Sequence, residues 1–321
     1  MYFKFYMKKK VIFFGTPGFA VTSLNKINSK FVVDCVVTAP DKRSGRGRKL
    51  NQSDVKKYTL KNKIKTLQPS NLMDKEFINQ IKDLEPDLII VVAFRKLPAE
   101  LFNIPKYGTI NLHASLLPNY RGAAPINWCL INGEIKTGVT TFFINEKIDQ
   151  GDILLQKEII IENKDDFGSL YIKLSEVGAD LVIKTIEGIF NNSLNPIKQN
   201  FIDDLKLAPK LNSENTRIDW NQSINYIIGQ IKGLSPKPGA WTMIENGDNQ
   251  FRMKILKAKN EKVSSLKSNL NGKIVIDNGE LLIYNEHGAV NCSVIQLENK
   301  REMTSKELLN GLKFHENSRV Y

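Results

Sequence analysis

Asn111 and His113 stand two residues apart in the run NLHASLLPNYRGAAPINW, residues 111–128. In an extended strand that spacing puts both side chains on one face. The pair suits acyl-group chemistry. A neutral amide donor can hold a carbonyl oxygen as it becomes an oxyanion. An imidazole can accept or return a proton near neutral pH. The missing part is a carboxylate that fixes the imidazole tautomer and supports its charge. The loop KIDQGDIL offers Asp149 and Asp152; Asp149 comes first after the preceding strand and is the expected partner. Pro118 and Pro125 fix the intervening chain, while Gly122, Ala123 and Ala124 leave room for something to approach. The plainer reading is a buried Asn-His pair in a tight connection, and the strand end, the turn cluster and the downstream acid weigh against it.

The elements that must hold these residues are legible in the pattern. VIFFG (11–15), FVVDCVVTAP, PDLIIVVAF (86–94), GTINLHASL and GVTTFFINE read as strands. They are apolar almost throughout, as in a sheet covered on both faces. Helix-like segments lie between them, including TPGFAVTSLNKI, LMDKEFINQIKDL and PINWCLINGE. The first half is therefore an α/β fold, an open, mostly parallel sheet with helices on both faces. Such sheets bind ligands beyond the carboxyl ends of the strands, where Asn111 and His113 fall. GSLYIKLSEVGADLVIKTIEGIF (168–190) reads as a long amphipathic helix, its apolar content supplied by Leu170, Ile172, Leu174, Val177, Leu181, Ile183 and Ile186. A Pro-, Asn- and Lys-rich stretch then reads as a linker over 194–211. DWNQSINYIIGQIKGL is one more helix, with Asp219 available as its N-terminal acid. GAWTMIE, FRMKILKAK, GKIVID, GELLIYNE and AVNCSVIQLE then alternate with turn residues, the mark of a small antiparallel barrel. The expected domains are residues 1–193 and 212–321.

Charge and cysteine use narrow the function classes. The chain has 321 residues and a formal net charge of +12, which favours an anionic partner such as nucleic acid; a Lys- and Asn-rich composition would give the same excess, so the location of the charge decides. The run DKRSGRGRKLNQSDVKK packs Lys42, Arg43, Arg46, Arg48 and Lys49 around two glycines just past the second strand. It reads as an open, flexible loop over the site whose cations meet phosphates. Lys254, Lys257 and Lys259 in the barrel would extend that track. Cys35, Cys129 and Cys292 are far apart and lack metal spacing, so they read as buried thiols of a reducing compartment. No apolar run approaches the ~20 residues that span a bilayer. A cytoplasmic monomer that needs neither membrane nor metal is expected, and Met7 is a possible natural start. His287 and His315 are expected at the surface, and Trp128, Trp220 and Trp241 in the core. GTPGFA after the first strand lacks the glycine spacing of a dinucleotide loop, which argues against a dehydrogenase.

SLLPNYRGAAPINW, with NLH before it and IDQGDIL after it, resembles the folate-dependent formyltransferases. VIFFGTPGFAVTSL, PDKRSGRGRKL, RIDW (217–220) and VIQLENKREMTSKELLNGL (294–312) extend the resemblance over nearly the whole chain. It implies a Rossmann-like catalytic domain and a C-terminal OB-like, tRNA-binding barrel. It implies that Asn111, His113 and Asp149 are catalytic and that Ser115, Leu116, Leu117 and Pro118 bind the folate. The donor would be 10-formyltetrahydrofolate and the acceptor the methionine amine of charged initiator tRNA, met by the basic loop. A small amine, such as an amino sugar, is the alternative acceptor; a catalytically silent RNA-binding protein is a third reading, which the intact trio opposes. The chain departs from the family's pattern at Arg95 and Lys96, which stand where a small and an apolar residue border the expected pteridine pocket.

Overall fold

The computed structural model describes residues 9–44, 49–200, 204–261 and 271–321. Its elements run β1 (Val11–Gly15), α1 (Gly18–Lys30), β2 (Val33–Val37), β3 (Lys42–Ser44), β4 (Lys49–Asn51), α2 (Asp54–Lys61), β5 (Thr66–Leu67), α3 (Lys75–Asp83), β6 (Leu88–Val92) and α4 (Ala99–Phe102). There follow β7 (Thr109–His113), β8 (Arg121–Gly122), α5 (Pro125–Ile131), β9 (Lys136–Phe143), β10 (Ile153–Ile160), α6 (Phe167–Phe190) and β11 (Leu207–Ala208). Seven strands form one sheet in the order β10-β9-β7-β6-β1-β2-β5. The ladders from β5 to β7 are parallel, and β7 meets β9 antiparallel. β1 and β6 are buried on both faces, which is why they read as unbroken apolar runs. One face packs Ile12, Phe14, Ile89 and Val91 against Phe77 and Ile81 of α3.

Two compact units emerge, the first comprising the chain up to Gly122, Thr137–Ile159 and Tyr171–Leu207. The second comprises Ala123–Lys136, Ile160–Leu170 and Ala208–Tyr321. In the first, α6 lies against β7, where a side chain at Gly178 would meet Leu112 at 2.8 Å. Glycine costs a helix about 1 kcal/mol. Leu174, Leu181 and Ile186 of the same helix are buried, each contributing roughly 1.5–3 kcal/mol, so close packing wins. Ile172, counted in the apolar content of this helix, is 64% exposed.

The second unit continues with α7 (Ile224–Leu234), β12 (Ala240–Asn246), β13 (Asn249–Glu261), β14 (Ile274–Asp277), β15 (Glu280–Asn285), β16 (Gly288–Leu297), β17 (Glu302–Thr304), α8 (Ser305–Gly311) and β18 (Arg319–Val320). Its sheet runs β14-β15-β16-β13-β12-β18. The Ile274 and Val320 N–H groups bond the Ser318 and Gly272 carbonyls, bringing the two ends together into the expected small barrel. Ile227, Ile231 and Leu234 of α7 fill it beside Ile255, Ile283 and Val290. Ser223, not Asp219, caps α7 by accepting the Tyr226 N–H; Asp219 instead accepts from Asn221 and Gln222 in the preceding turn. Trp220 is core, while Trp128 and Trp241 are half-buried. Cys35 on β2, Cys129 on α5 and Cys292 on β16 are buried and form no disulfide; burial pushes Cys35 up to about 11 and Cys292 further still. Among the described residues, no helix is long and apolar enough to cross a membrane.

Candidate active site

β7 sets the site. Leu112 faces α6, so Asn111 and His113 project from the opposite face. His113 is 6% exposed, and its Nε2 lies 2.8 Å from the Tyr120 carbonyl. A carbonyl only accepts, so Nε2 carries a proton, which leaves Nδ1 as the nitrogen turned toward the acid. Nδ1 in turn lies 3.8 Å from Asp149 Oδ2. The tautomer is therefore fixed by a backbone carbonyl rather than by the carboxylate that the sequence suggested for that task. Asn111 is half-buried, and its amide makes no hydrogen bond with any described residue.

Asp149 arrives by an indirect route. β9 runs antiparallel to β7, with His113 opposite Thr140 and Ile110 opposite Phe143. The end of β9 is thus three residues, or roughly 10 Å, from the His113 level. The following loop folds back to bring Asp149 to His113, while Asp152 begins the return, its carbonyl accepting from the Phe143 N–H. A Cβ at Gly151 would lie 1.6 Å from the Phe143 carbonyl oxygen, so only glycine closes this loop. The Gly122 N–H donates to Asp149 Oδ2 at 2.9 Å. Ala93, Tyr120 and Asp149 hold φ of 49°, 61° and 54°, each costing about 1–3 kcal/mol in a non-glycine residue. Such conformations persist only where the surroundings enforce them, and three border this one strand end.

Ser115–Pro118 leave β7 over a hydroxyl hub. Thr140 Oγ1 donates to the Ser115 carbonyl at 2.6 Å and accepts from the Leu117 N–H and the Gln156 amide. Gln156 also donates to the Leu117 carbonyl at 2.9 Å. The main chain of Leu116, between these anchors, has no hydrogen-bond partner among the described residues. Phe94 packs edge-on against Phe14, and Arg95 turns aside to donate to the Pro69 and Ser70 carbonyls. Lys96 is exposed. The Arg95 guanidinium also lies over the Phe94 ring, 5.2 Å from its centroid, so one face of that aromatic carries a cation.

The basic segment is more ordered at its flanks than an open loop. β3 and β4 form a two-stranded ladder pairing Lys42 with Asn51 and Ser44 with Lys49, and the backbone of Arg43 with Leu50. Lys42 is exposed; Arg46 and Arg48 lie outside the described residues. On the barrel, Lys257 is exposed, but Lys259 pairs with Glu261 and Glu280 at 3.5 and 3.8 Å, which thins the lysine track. His287 and His315 are exposed, as expected.

Several residues around the site carried no signal in the sequence reading: Tyr120, Arg121, Thr140, Gln156 and Gln199. Buried Arg121 donates to Gln199 Oε1 at 3.2 Å from Nε and 2.5 Å from Nη2. Burial pulls its guanidinium below the usual value, and Asp149 pushes it back up.

A doubly covered α/β sheet with an amide, an imidazole and a carboxylate at one strand end, followed by a small barrel, defines a class of acyl-group transfer enzymes. The family model described as formyl transferase matches residues 8–186, and its C-terminal domain model matches 210–313; the chain belongs to the formyl transferase family. A Flavobacterium johnsoniae protein named methionyl-tRNA formyltransferase is 45% identical over 98% of this chain and 99% of its own. A Thermodesulfovibrio yellowstonii protein of the same name is 42% identical over 97% and 98%. Among solved structures, the sugar 3N-formyl transferase WlaRD, crystallised with 5-N-formyl-THF, shares the fold with a TM-score of 0.66 at 20% identity, covering 91% of this chain and 99% of that one.

Proposed function

We propose that the protein transfers the formyl group of 10-formyltetrahydrofolate to the amino group of methionine on initiator tRNA. The reading rests on the Asp149 carboxylate 3.8 Å from His113 Nδ1, beside an Asn111 amide that no described residue engages, in a chain matched over its length by methionyl-tRNA formyltransferases. The site fits a folate donor. Leu116 offers a main-chain N–H and carbonyl that no described residue engages, suited to the edge of a fused heterocycle, and Phe94, one face of which carries the Arg95 guanidinium, supplies an aromatic wall. The bound folate supplies the activated formyl carbon.

Each residue then has one task. Asn111 donates to the formyl oxygen as negative charge gathers there. His113 accepts at Nδ1 the proton that the attacking amine sheds, since Nε2 is committed to Tyr120. Asp149 faces the resulting imidazolium and stabilises it. His113 then returns the proton to the departing nitrogen. Residues 1–193 form the catalytic domain and 212–321 a tRNA-binding one, acting as a monomer in the cytoplasm.

Formyl transfer from 10-formyltetrahydrofolate to purified Met-tRNA tests the reading; transfer to a small amine but not to Met-tRNA would favour the amino-sugar alternative. Lys42, Arg43, Arg46, Arg48 and Lys49 meet the tRNA phosphates. Arg46→Ala or Arg48→Ala is expected to raise KM for Met-tRNA and leave KM for the folate unchanged. The slope of log kcat/KM against log salt should flatten by about one unit per lost contact. Unchanged tRNA kinetics and salt slope in both variants would remove the loop from the interface.

A further inference from the structure

The stretch 194–211 reads as a linker, yet part of it is built into the site. Ile197 exchanges backbone hydrogen bonds with Ile153 at 2.8 Å each way, pinning the segment to the start of β10. Two residues on, Gln199 is inserted between Arg121 and the Asp149 loop. Its Nε2 donates to the Asp149 carbonyl at 2.9 Å and to the Gly151 carbonyl at 2.8 Å. Its Oε1 accepts twice from Arg121.

We propose that Gln199 is a positioning residue, which sets the Asp149 loop and through it the carboxylate that faces His113. The inference deepens the formyl-transfer reading and rests on it for its kinetic arm.

The chemistry of the junction selects the residue type. Arg121 has only donors to offer, and the two loop carbonyls only accept. A side chain joining them must accept on one side and donate on the other. Glutamate would set a carboxylate oxygen against two carbonyl oxygens, lysine or arginine would set a cation against Arg121, and asparagine is one methylene shorter. Glutamine meets the demand with both amide hydrogens and both lone pairs in use. The loop needs such a clamp. Asp149 sits at φ 54°, a conformation that relaxes unless held, and its carboxylate has one backbone donor, Gly122. Arg121, buried behind it, supplies the counter-charge.

Two variants separate the roles. Gln199→Glu keeps an acceptor for Arg121 and loses the donors to the loop; Gln199→Met loses both. Both are expected to lower kcat for formyl transfer roughly ten- to a hundredfold, the effect of a small misplacement, with KM for folate and Met-tRNA within about twofold. The second readout needs no substrate. The chain has three histidines, so NMR spectra of wild type and Gln199→Met at one pH follow all of them, with exposed His287 and His315 as internal references. Asp149 lies 3.8 Å from His113 Nδ1, so displacing it should move the His113 ring resonances while the references stay put. A Gln199→Glu enzyme that keeps at least half of wild-type kcat, or unmoved His113 resonances in Gln199→Met, would overturn the proposal. Should Gln199→Met fail to fold, the kcat of Gln199→Glu decides alone. A wild type inert toward Met-tRNA would overturn the functional reading instead, and the His113 resonances would still decide the positioning role.

Discussion

His113→Ala is expected to lower kcat for formyl transfer about a thousandfold, inside the ~10²–10⁴ range of general acid–base catalysis. The imidazole is placed to take the proton at Nδ1, with Nε2 committed to Tyr120 and Asp149 facing the charge. Its loss leaves the Asn111 amide and the Ser115–Pro118 loop intact, so both KM values should stay near wild type and residual turnover should rise with pH as more of the amine is unprotonated. The variant also removes the His113 hydrogen bond to the Tyr120 carbonyl. Losing that bond costs about 0.5–1.5 kcal/mol of stability, visible as a lower melting temperature. Single-turnover formylation and thermal unfolding, measured together, separate the two losses. Full activity in His113→Ala would remove the residue from the mechanism.

Asn111→Ala should look different. The amide bonds none of the described residues, so removing it orphans no partner among them, and stability should change by no more than about 0.5 kcal/mol. Its work is confined to the moment when charge develops on the formyl oxygen. Removing one such donor costs about 10²–10³ in kcat. Asn111→Asp is the sharper test, because it is nearly isosteric and turns a donor into an anion aimed at an oxygen that is becoming negative. It should be at least as slow as the alanine variant. A melting temperature that falls with kcat in Asn111→Ala would mean that the side chain holds the fold, not the reaction.

The contrast shows what the sequence could carry. Asn111 and His113 were visible because strand periodicity puts i and i+2 on one face, and the apolar runs before them announced the sheet. The direction of β9 was not visible: GVTTFF is buried on both faces, and such a strand reads the same whichever way it runs. The tautomer lock was hidden for another reason, since the Tyr120 carbonyl belongs to the backbone and no residue type marks it. Gln199 was lost in a polar, proline-bounded stretch whose composition is that of any linker; its value lies in four hydrogen bonds to partners up to 78 residues away in sequence. Asp219 was expected as the N-terminal acid of α7, but the helix begins five residues later, at Ile224, where Ser223 caps it and no acid enters the first turn.

The three thiols allow the chain to be watched as it opens. A thiolate, not a thiol, reacts with an alkylating reagent, and in the native state Cys35 and Cys292 are sealed and held well above their ordinary range. Modification of each must await local or global opening. Cys35 lies in the first unit, and Cys129 and Cys292 in the second. Alkylation resolved by mass spectrometry along a denaturant gradient therefore clocks the two units separately, with the chain's own sulfur as the only label.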